Sequence, residues 1–161
     1  MSASIFLKID GVEGDSVKDG HDGEIDVISW SWDMTQQGLA HMGKGAGGGK
    51  VAVGDVQIAK RIDSATPSLM MKCCKGEHIG EAVLTVERAG GDRPLPYVVM
   101  TMKKVFVTMV SPSVSDSDTE GHEMLSLNFE SYDIEVTPQG DSGSGGAAST
   151  AAFNIATGKA A

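Results

Sequence analysis

The chain has 161 residues, a mass of 16.7 kDa and a formal net charge of −9. Its length fits a single domain, and 40% apolar against 22% charged residues excludes a disordered polyelectrolyte. The acidic balance argues against a nucleic-acid partner, because phosphate backbones are bound by clustered Lys and Arg. The longest unbroken apolar run is Tyr97–Met100, so no membrane span is expected.

The first residues carry no positively charged segment, and Lys8 and Asp10 interrupt the first apolar stretch. This pattern predicts synthesis in the cytoplasm without a cleavable signal peptide, so any export would use a route that needs none. Cys73 and Cys74 are adjacent, and adjacent cysteines rarely bond to each other. We expect both to be small core residues.

Most of the chain alternates with a period of two, which is typical of β-strands. The first strand is predicted at Ile5–Ile9. In residues 24–34 the apolar parity changes after Val27, which indicates a β-bulge. Similar changes occur across Gly54-Asp55 and within Met124–Thr137. Matching kinks favour a rolled sheet or barrel over a flat sandwich.

One helix is predicted at about residues 66–75, with Thr66 as its N-cap and Pro67 in its first turn. Its apolar stripe comprises Leu69, Met70, Cys73 and Cys74. Gly76 ends it. Further strands are predicted at Glu81–Ala89, before a turn at Gly90-Gly91-Asp92, and within Leu95–Val110.

Two segments are rich in glycine. Thr35–Lys50 separates two strands, and Gly140–Ala152 is a Gly/Ser/Ala stretch that predicts a flexible tail. We therefore expect a β-barrel domain at 1–139 and a flexible tail at 140–161. The tail carries a short apolar end, Phe153-Asn154-Ile155, which can dock on a surface.

The sequence offers little for catalysis, so no enzyme, metal or cofactor is predicted. Its four histidines lie in no metal-ligand spacing, and no G-x-S-x-G elbow is present. The glycine run before Lys50 resembles a phosphate loop only superficially, because Val51 and a strand follow it instead of Ser or Thr and a helix. Asp116, Asp118 and Glu120 lack the calcium-loop spacing and are interpreted as a solvated loop.

Several motifs, in order, resemble the Hcp (haemolysin-coregulated protein) family, the tube subunit of the bacterial type VI secretion system. The resemblance extends over Ile5–Gln139 and includes a match to the family's S-P-x-L helix start, with Thr66 in place of Ser. Its segments are Ile5–Gly14, Glu24–Trp32, His41-Met42-Gly43, Ala65–Met70, Glu81–Val86, Ala89-Gly90-Gly91 and Leu125–Phe129.

The resemblance implies a mainly β fold, in which two antiparallel sheets roll into a small barrel with one short α-helix and an extended Gly-rich loop. It also implies homohexameric rings that stack into a hollow tube inside a contractile sheath. The tube carries a tip spike protein, transports effector proteins in its lumen, and is fired out of the cell. The alternative is a monomeric small β-barrel that binds a ligand.

Three groups of residues follow from these considerations. The ring-stacking loop comprises Met34, His41, Met42, Gly43, Lys44, Gly47, Gly48, Gly49 and Lys50. Alternation along β-strands places Ser29, Ser31 and Asp33 on the face opposite two tryptophans, as lumen and cargo candidates. The predicted core residues are Trp30, Trp32, Leu69, Met70 and Cys73. If the barrel is an isolated monomer, the simpler interpretations are that the Gly-rich loop is disordered and that the face with Ser29, Ser31 and Asp33 contacts solvent.

Overall fold

The computed structural model describes residues 2–41, 49–89, 93–140 and 145–161. These residues form mostly antiparallel strands with one helix. The elements are β1 (Ser4–Ile9), β2 (Ile25–Ser31), β3 (Met34–Thr35), β4 (Ala52–Val53), β5 (Val56–Arg61), α1 (Thr66–Lys75), β6 (Ile79–Arg88), β7 (Leu95–Ser113), β8 (His122–Val136), β9 (Ser149–Asn154) and β10 (Lys159–Ala160).

Six strands close into a barrel. Their order is β8, β5, β2, β1, β6 and β7, and the long strand β7 pairs with β6 on one side and with β8 on the other. Closure hides the backbone edges that an open sheet would expose. The predicted small barrel is therefore confirmed.

The barrel interior is filled by every second residue of its strands. The buried apolar side chains include Leu7, Ile9, Ile25, Val56, Ile58, Leu84, Met100, Met102, Leu125 and Leu127. Full burial of each large apolar side chain contributes about 1.5–3 kcal/mol to folding. The pairing of β2 with β5 shifts register between Val27 and Ser29, which confirms the predicted bulge.

The helix confirms part of the prediction and corrects the rest. It ends at Gly76, which has a left-handed φ of 62°. The N-cap is Ala65 and not the predicted Thr66. The Thr66 hydroxyl does not cap the helix: it accepts a hydrogen bond from the Asp63 backbone and donates one to Glu123. Leu69 is fully buried and Cys73 packs against the core.

Two residues of the predicted apolar stripe do not belong to the core. Met70 and Cys74 are exposed, and the predicted core position of Met70 is wrong. The helix packs on β7 through a narrow face. This face holds Leu69 and Cys73, which lie about one turn apart. Their immediate successors point about 100° away from that face because an α-helix has 3.6 residues per turn. No helix within the described residues is long and apolar enough to cross a bilayer.

Part of the C-terminal segment is a strand of the sheet, which differs from the expected flexible tail. Residues Ser149–Asn154 form β9, which pairs with the second half of β8, from Ser131 to Val136. Phe153 lies beside Tyr132, with ring centroids 6.4 Å apart, and Ile155 packs against the core. The apolar contacts of Phe153 and Ile155 and the backbone hydrogen bonds to β8 therefore order a segment whose composition favours flexibility. The predicted turn at 90–92 lies outside the described residues.

A buried polar group closes one end of the barrel. The Lys60 cluster comprises Lys60, Asp63, Thr66 and Glu123. Lys60 Nζ lies 2.7 Å from Asp63 Oδ1 and 3.2 Å from Glu123 Oε1, and the Thr66 hydroxyl donates to Glu123 Oε2 at 2.6 Å. The Lys60 and Glu123 side chains have no exposed surface. This cluster joins β5, the start of α1 and β8.

Candidate assembly surfaces

Strand β2 and the two residues that follow it present two different faces. Trp30 and Trp32 are half-buried and pack against the core, whereas Ser29, Ser31 and Asp33 are exposed on the opposite side. Trp32 stacks edge-on against Tyr132 at 4.7 Å, and its indole N–H donates to the Gly54 carbonyl at 2.9 Å. The tryptophans therefore fix the orientation of the polar face.

The serines belong to two rows of directly paired residues that cross four strands. One row runs from β2 through β5 and β8 to β7 and consists of Ser29, Ala59, Met124 and Ser111. The second consists of Ser31, Gln57, Ser126 and Met109. None of these eight side chains carries a charge. We call this surface the uncharged face.

The side chains of the uncharged face are held by few polar contacts. Ser126 Oγ donates to Gln57 Oε1 at 2.5 Å. Met109 and Met124 remain 38% and 42% exposed, so flexible apolar side chains lie at the surface among small polar ones. A shallow cavity of about 290 Å³ adjoins this face and is lined by Ser31, Trp32, Asp33, Gly54, Asp55 and Gln57. Such a surface offers weak, unselective contacts to another chain.

The outer face on the opposite side of the barrel is charged. Its rows cross β1, β6, β7 and the second half of β8, and include Lys8, Thr101 and Asp133. Lys103 pairs with Glu81 across β6 and β7, and Lys104 lies 3.2 Å from Glu130. These charged pairs contrast with the two rows of the uncharged face, which are bordered by Asp33 and Asp55 at one end and by the exposed Arg61–Glu120 pair at the other.

The Gly-rich loop leaves the barrel through a short two-stranded ladder. Met34 pairs with Val53 and Thr35 with Ala52. The Gly54 backbone N–H donates to the Asp33 carbonyl at 3.0 Å, and a Cβ at Gly54 would collide with the Asp33 carboxylate. The base of the loop is therefore rigidly tied to the end of β2.

The structure places only part of the predicted ring-stacking loop. His41 and Lys50 are exposed, and Gly49 is half-buried beside Gln37. Met42, Gly43, Lys44, Gly47 and Gly48 lie outside the described residues. Met34 lies at the base of the loop, where the Tyr132 hydroxyl approaches its sulfur at 4.0 Å.

An apolar groove separates the loop from the C-terminal strands. It measures about 430 Å³ and is lined mainly by Met34, Val53, Tyr132, Phe153 and Ile155. Trp32, which was predicted with Trp30 as a core residue, also packs against Tyr132 and so supports one wall of this groove.

The acidic loop after β7 is held by its own hydrogen bonds. Asp118 accepts a bond from the Ser115 backbone at 3.3 Å, and the bonds with Ser115 lower the pKa of its carboxyl. Glu120 lies 2.6 Å from the guanidinium of Arg61. These contacts fit the predicted solvated loop.

The sequence predicts the β2 part of the uncharged face, Ser29 and Ser31, but not the residues that the other three strands contribute. Gln57, Met109, Met124 and Ser126 lie on strands whose inward parity was readable, so their outward direction was available from the sequence. The missing information was the order of strands in the barrel, which decides that these residues join Ser29 and Ser31.

Comparisons with known proteins agree with this architecture. Residues 6–137 match the family model described as type VI secretion system effector, Hcp. Protein hcp1 of Pseudomonas aeruginosa is 40% identical over 139 residues, which cover 86% of each chain. The crystal structure of Hcp1 from Salmonella typhimurium aligns over 100% of both chains, with 35% identity and a TM-score of 0.83.

Two further solved structures share the fold. A type VI secretion system effector from Yersinia pestis aligns over 93% of this chain and 98% of its own, with 28% identity and a TM-score of 0.76. A structure described as a type six secretion system protein covers 99% of this chain and 100% of its own, with a TM-score of 0.92 at 20% identity. The latter supports the fold alone.

Proposed function

The chain belongs to the Hcp family of the type VI secretion system, and from this premise we propose that it forms hexameric rings that stack into a hollow tube. In this proposal each subunit contributes its uncharged face to the wall of the channel. The family is one of secretion components, and the protein acts here as a structural subunit rather than as an enzyme.

The observation that carries the proposal is the uncharged face. A monomer that is 22% charged gains solubility by spreading charge over its outer surface, yet two complete rows across four strands lack any charge. A channel wall has a different requirement. It must let a folded cargo bind and later leave, and neutral side chains with two flexible methionines provide weak contacts without fixed charges.

A ring is the assembly that uses this asymmetry. Identical subunits that contact each other head to tail close into a ring at a fixed rotation. One outer face of every barrel then turns toward the axis while the charged face, with Lys8 and Asp133, stays in water. Closure in this orientation is what distinguishes the proposal from a solitary barrel.

The Gly-rich loop is assigned to contacts between stacked rings. Its base is fixed by the Trp32 and Gly54 hydrogen bonds, so the loop leaves the barrel in a defined direction. Exposed His41 and Lys50 and the small residues between them allow close approach of a neighbouring backbone. The loop, comprising Met34, His41, Met42, Gly43, Lys44, Gly47, Gly48, Gly49 and Lys50, is proposed as the ring-stacking element.

The remaining partners follow from the same role. Effector proteins occupy the lumen, a spike protein sits at the tip and a contractile sheath surrounds the tube. The subunit is made in the cytoplasm and leaves the cell with the tube when the system fires, without a cleavable signal peptide.

Light scattering on the purified chain tests the ring directly. We expect a species of about six times the 16.7 kDa subunit mass at micromolar concentration, because the ring covers surfaces that a monomer leaves in water. A single species of 16.7 kDa across this range would reject the ring. It would favour the alternative, a monomeric β-barrel that binds a ligand.

A further inference from the structure

His21 is held between two carboxylates on the outside of the barrel. Its Nδ1 lies 2.8 Å from Glu24 Oε2 and its Nε2 lies 2.7 Å from Glu87 Oε1. The ring stacks on Phe6 with centroids 4.0 Å apart and planes inclined by 5°. The His21, Glu24 and Glu87 side chains are only 11%, 15% and 12% exposed, respectively.

This geometry requires a particular protonation state. An ionised carboxylate only accepts hydrogen bonds, and a neutral imidazole carries a single N–H. Two ring nitrogens that each contact a carboxylate oxygen can both donate only when the ring is imidazolium. When the imidazolium loses one proton, one charge-assisted hydrogen bond is lost. The lone pair of that ring nitrogen then faces a lone pair of the carboxylate oxygen.

The imidazole joins parts of the fold that are distant in sequence. His21 belongs to the segment between β1 and β2, Glu87 lies on β6 and Phe6 on the outward side of β1. Phe6 is only 4% exposed although it points away from the barrel interior, because the His21 ring covers it. The segment from Gly11 to Glu24 is thus fastened to the outer surface of β1 and β6.

The fastened segment has its own backbone bonds but an exposed tip. Gly14 N–H donates to the Gly23 carbonyl at 2.8 Å and Ser16 N–H to the Glu24 carbonyl at 3.0 Å. Val17, near the tip, is 91% exposed. The segment is therefore a folded flap that is attached to β6 through His21 and Glu87, while Asp15 accepts a separate hydrogen bond from the Ser64 backbone at 3.1 Å.

We propose that His21 is a proton-operated latch that fastens the β1–β2 segment to the barrel when the imidazole is protonated and loosens it when the imidazole is neutral. The charged groups that face the ring are Glu24 on the segment side and Glu87 on β6; Phe6 on β1 carries no charge. The latch does not depend on ring assembly.

The direction of the pKa shift agrees with the geometry. Burial, the largest single influence, lowers the pKa of His21, but the hydrogen bonds and charges of Glu87 and Glu24 together outweigh it and raise the pKa above its usual value of 6.5. Because the pKa in the folded protein is higher, the stabilisation is fully present below the unfolded value. It is lost as pH rises through the folded pKa.

The test follows amide hydrogen exchange and the His21 ring signals by NMR in the full chain between about pH 5 and pH 8.5. Exchange rates are divided by the intrinsic rate at each pH. We expect the protection of the Gly14, Ser16 and Gly23 amides to fall about ten- to hundredfold as His21 deprotonates, the equivalent of one hydrogen bond to a charged group. Amides of the β1–β6 ladder serve as the internal control and should keep their protection.

Glu87→Gln is the matched variant, since it keeps the side-chain shape and removes one of the two charges. We expect it to lower the midpoint of the His21 titration and to loosen the segment at lower pH. His21→Gln should leave the segment loose at every pH. A wild-type midpoint at or below 6.5, or segment protection that does not change as His21 titrates, would overturn the latch.

Discussion

Lys60 and Glu123 form an ion pair inside a β-barrel, where neither side chain touches water. Burying two charges costs several kcal/mol of hydration each, and their attraction with good hydrogen bonds roughly repays this cost. The pair therefore adds little net stability, whereas the loss of one partner leaves an uncompensated charge. Asp63 accepts a hydrogen bond from Lys60, and the Thr66 hydroxyl donates one to Glu123 Oε2, whereas Glu123 Oε1 contacts Lys60 Nζ at 3.2 Å without a hydrogen bond.

Replacing Lys60 by Met should lower the free energy of unfolding by about 3–5 kcal/mol, because the Glu123 carboxylate stays buried without its cation. Urea unfolding followed by tryptophan fluorescence measures this change. The double variant Lys60→Met/Glu123→Leu should recover most of the loss, since it removes both charges and keeps an apolar volume.

The matched control uses an ion pair on the surface. Lys103 and Glu81 pair on the charged face, with Lys103 more than half exposed, so Lys103→Met should change the unfolding free energy by at most about 1 kcal/mol. Equal losses for Lys60→Met and Lys103→Met would show that burial of the Lys60 cluster has no energetic consequence.

Lys60 and Glu123 are not among the predicted core residues, although the parity of their strands places both on the inward side. Lys60 follows Val56 and Ile58 on one side of β5, and Glu123 precedes Leu125 and Leu127 on one side of β8. A charged residue at such a position is ordinarily assigned to a strand end in solvent. Its burial became evident only when the fold brought the two strands together with the start of α1.

Strand β2 combines a tryptophan face that packs inward with a serine face that points outward. The rows beyond Ser29 and Ser31 continue over β5, β8 and β7, so the uncharged face is a property of four strands together. A substitution on this face changes the surface without changing the packing of the barrel interior.

Ser31→Gln should reduce the recovery of a tagged effector with purified rings by about fivefold, the equivalent of about 1 kcal/mol. In the proposed ring, the longer side chain would occupy the cavity beside Asp33 and Asp55 and would narrow the channel. Because Ser31 is exposed, the rings should still form. Co-purification from cells that express both proteins measures the effect.

Thr101→Gln is the control on the charged face, between Val83 and Asp133, and should leave effector recovery unchanged. Equal recovery with wild-type and Ser31→Gln rings would remove Ser31 from the cargo surface. Loss of rings in the Ser31 variant would show that this face is buried between subunits.

Deletion of residues 43–49 tests the Gly-rich loop as the stacking element. The barrel should keep its stability and its hexamers, because the ladder of Met34 with Val53 and the Gly54 bonds lie outside the deletion. Secretion of the deleted chain should fall to background, as measured by immunoblot of culture supernatant. Normal secretion would contradict a role in stacking.

Elements with a strong periodic pattern were predictable from the sequence. The bulge after Val27 was visible as a change of apolar parity, and the helix was predicted with the bounds it has, 66–75. Strand β9 was not predicted, because Gly, Ser and Ala carry no periodic signal. Its strand character comes from pairing with β8 and from the anchors Phe153 and Ile155, which are tertiary effects.

At the level of the whole molecule, one outer face of the barrel carries paired charges, and the opposite side contains two rows of uncharged residues. Closure of the sheet leaves the strands of the barrel without a long free edge, so self-assembly relies on side-chain surfaces more than on edge pairing. In the proposed ring, the uncharged face points toward the axis. Stability and mass measurements do not test this orientation.

Electron microscopy of gold-labelled rings tests it most directly. In a Cys73→Ser/Cys74→Ser background, a single cysteine is placed at Ser31 on the uncharged face, or at Lys8 on the charged face as the matched control. We expect ring particles with gold in the central channel for Ser31→Cys and at the outer rim for Lys8→Cys. Gold at the outer rim for Ser31→Cys would contradict it.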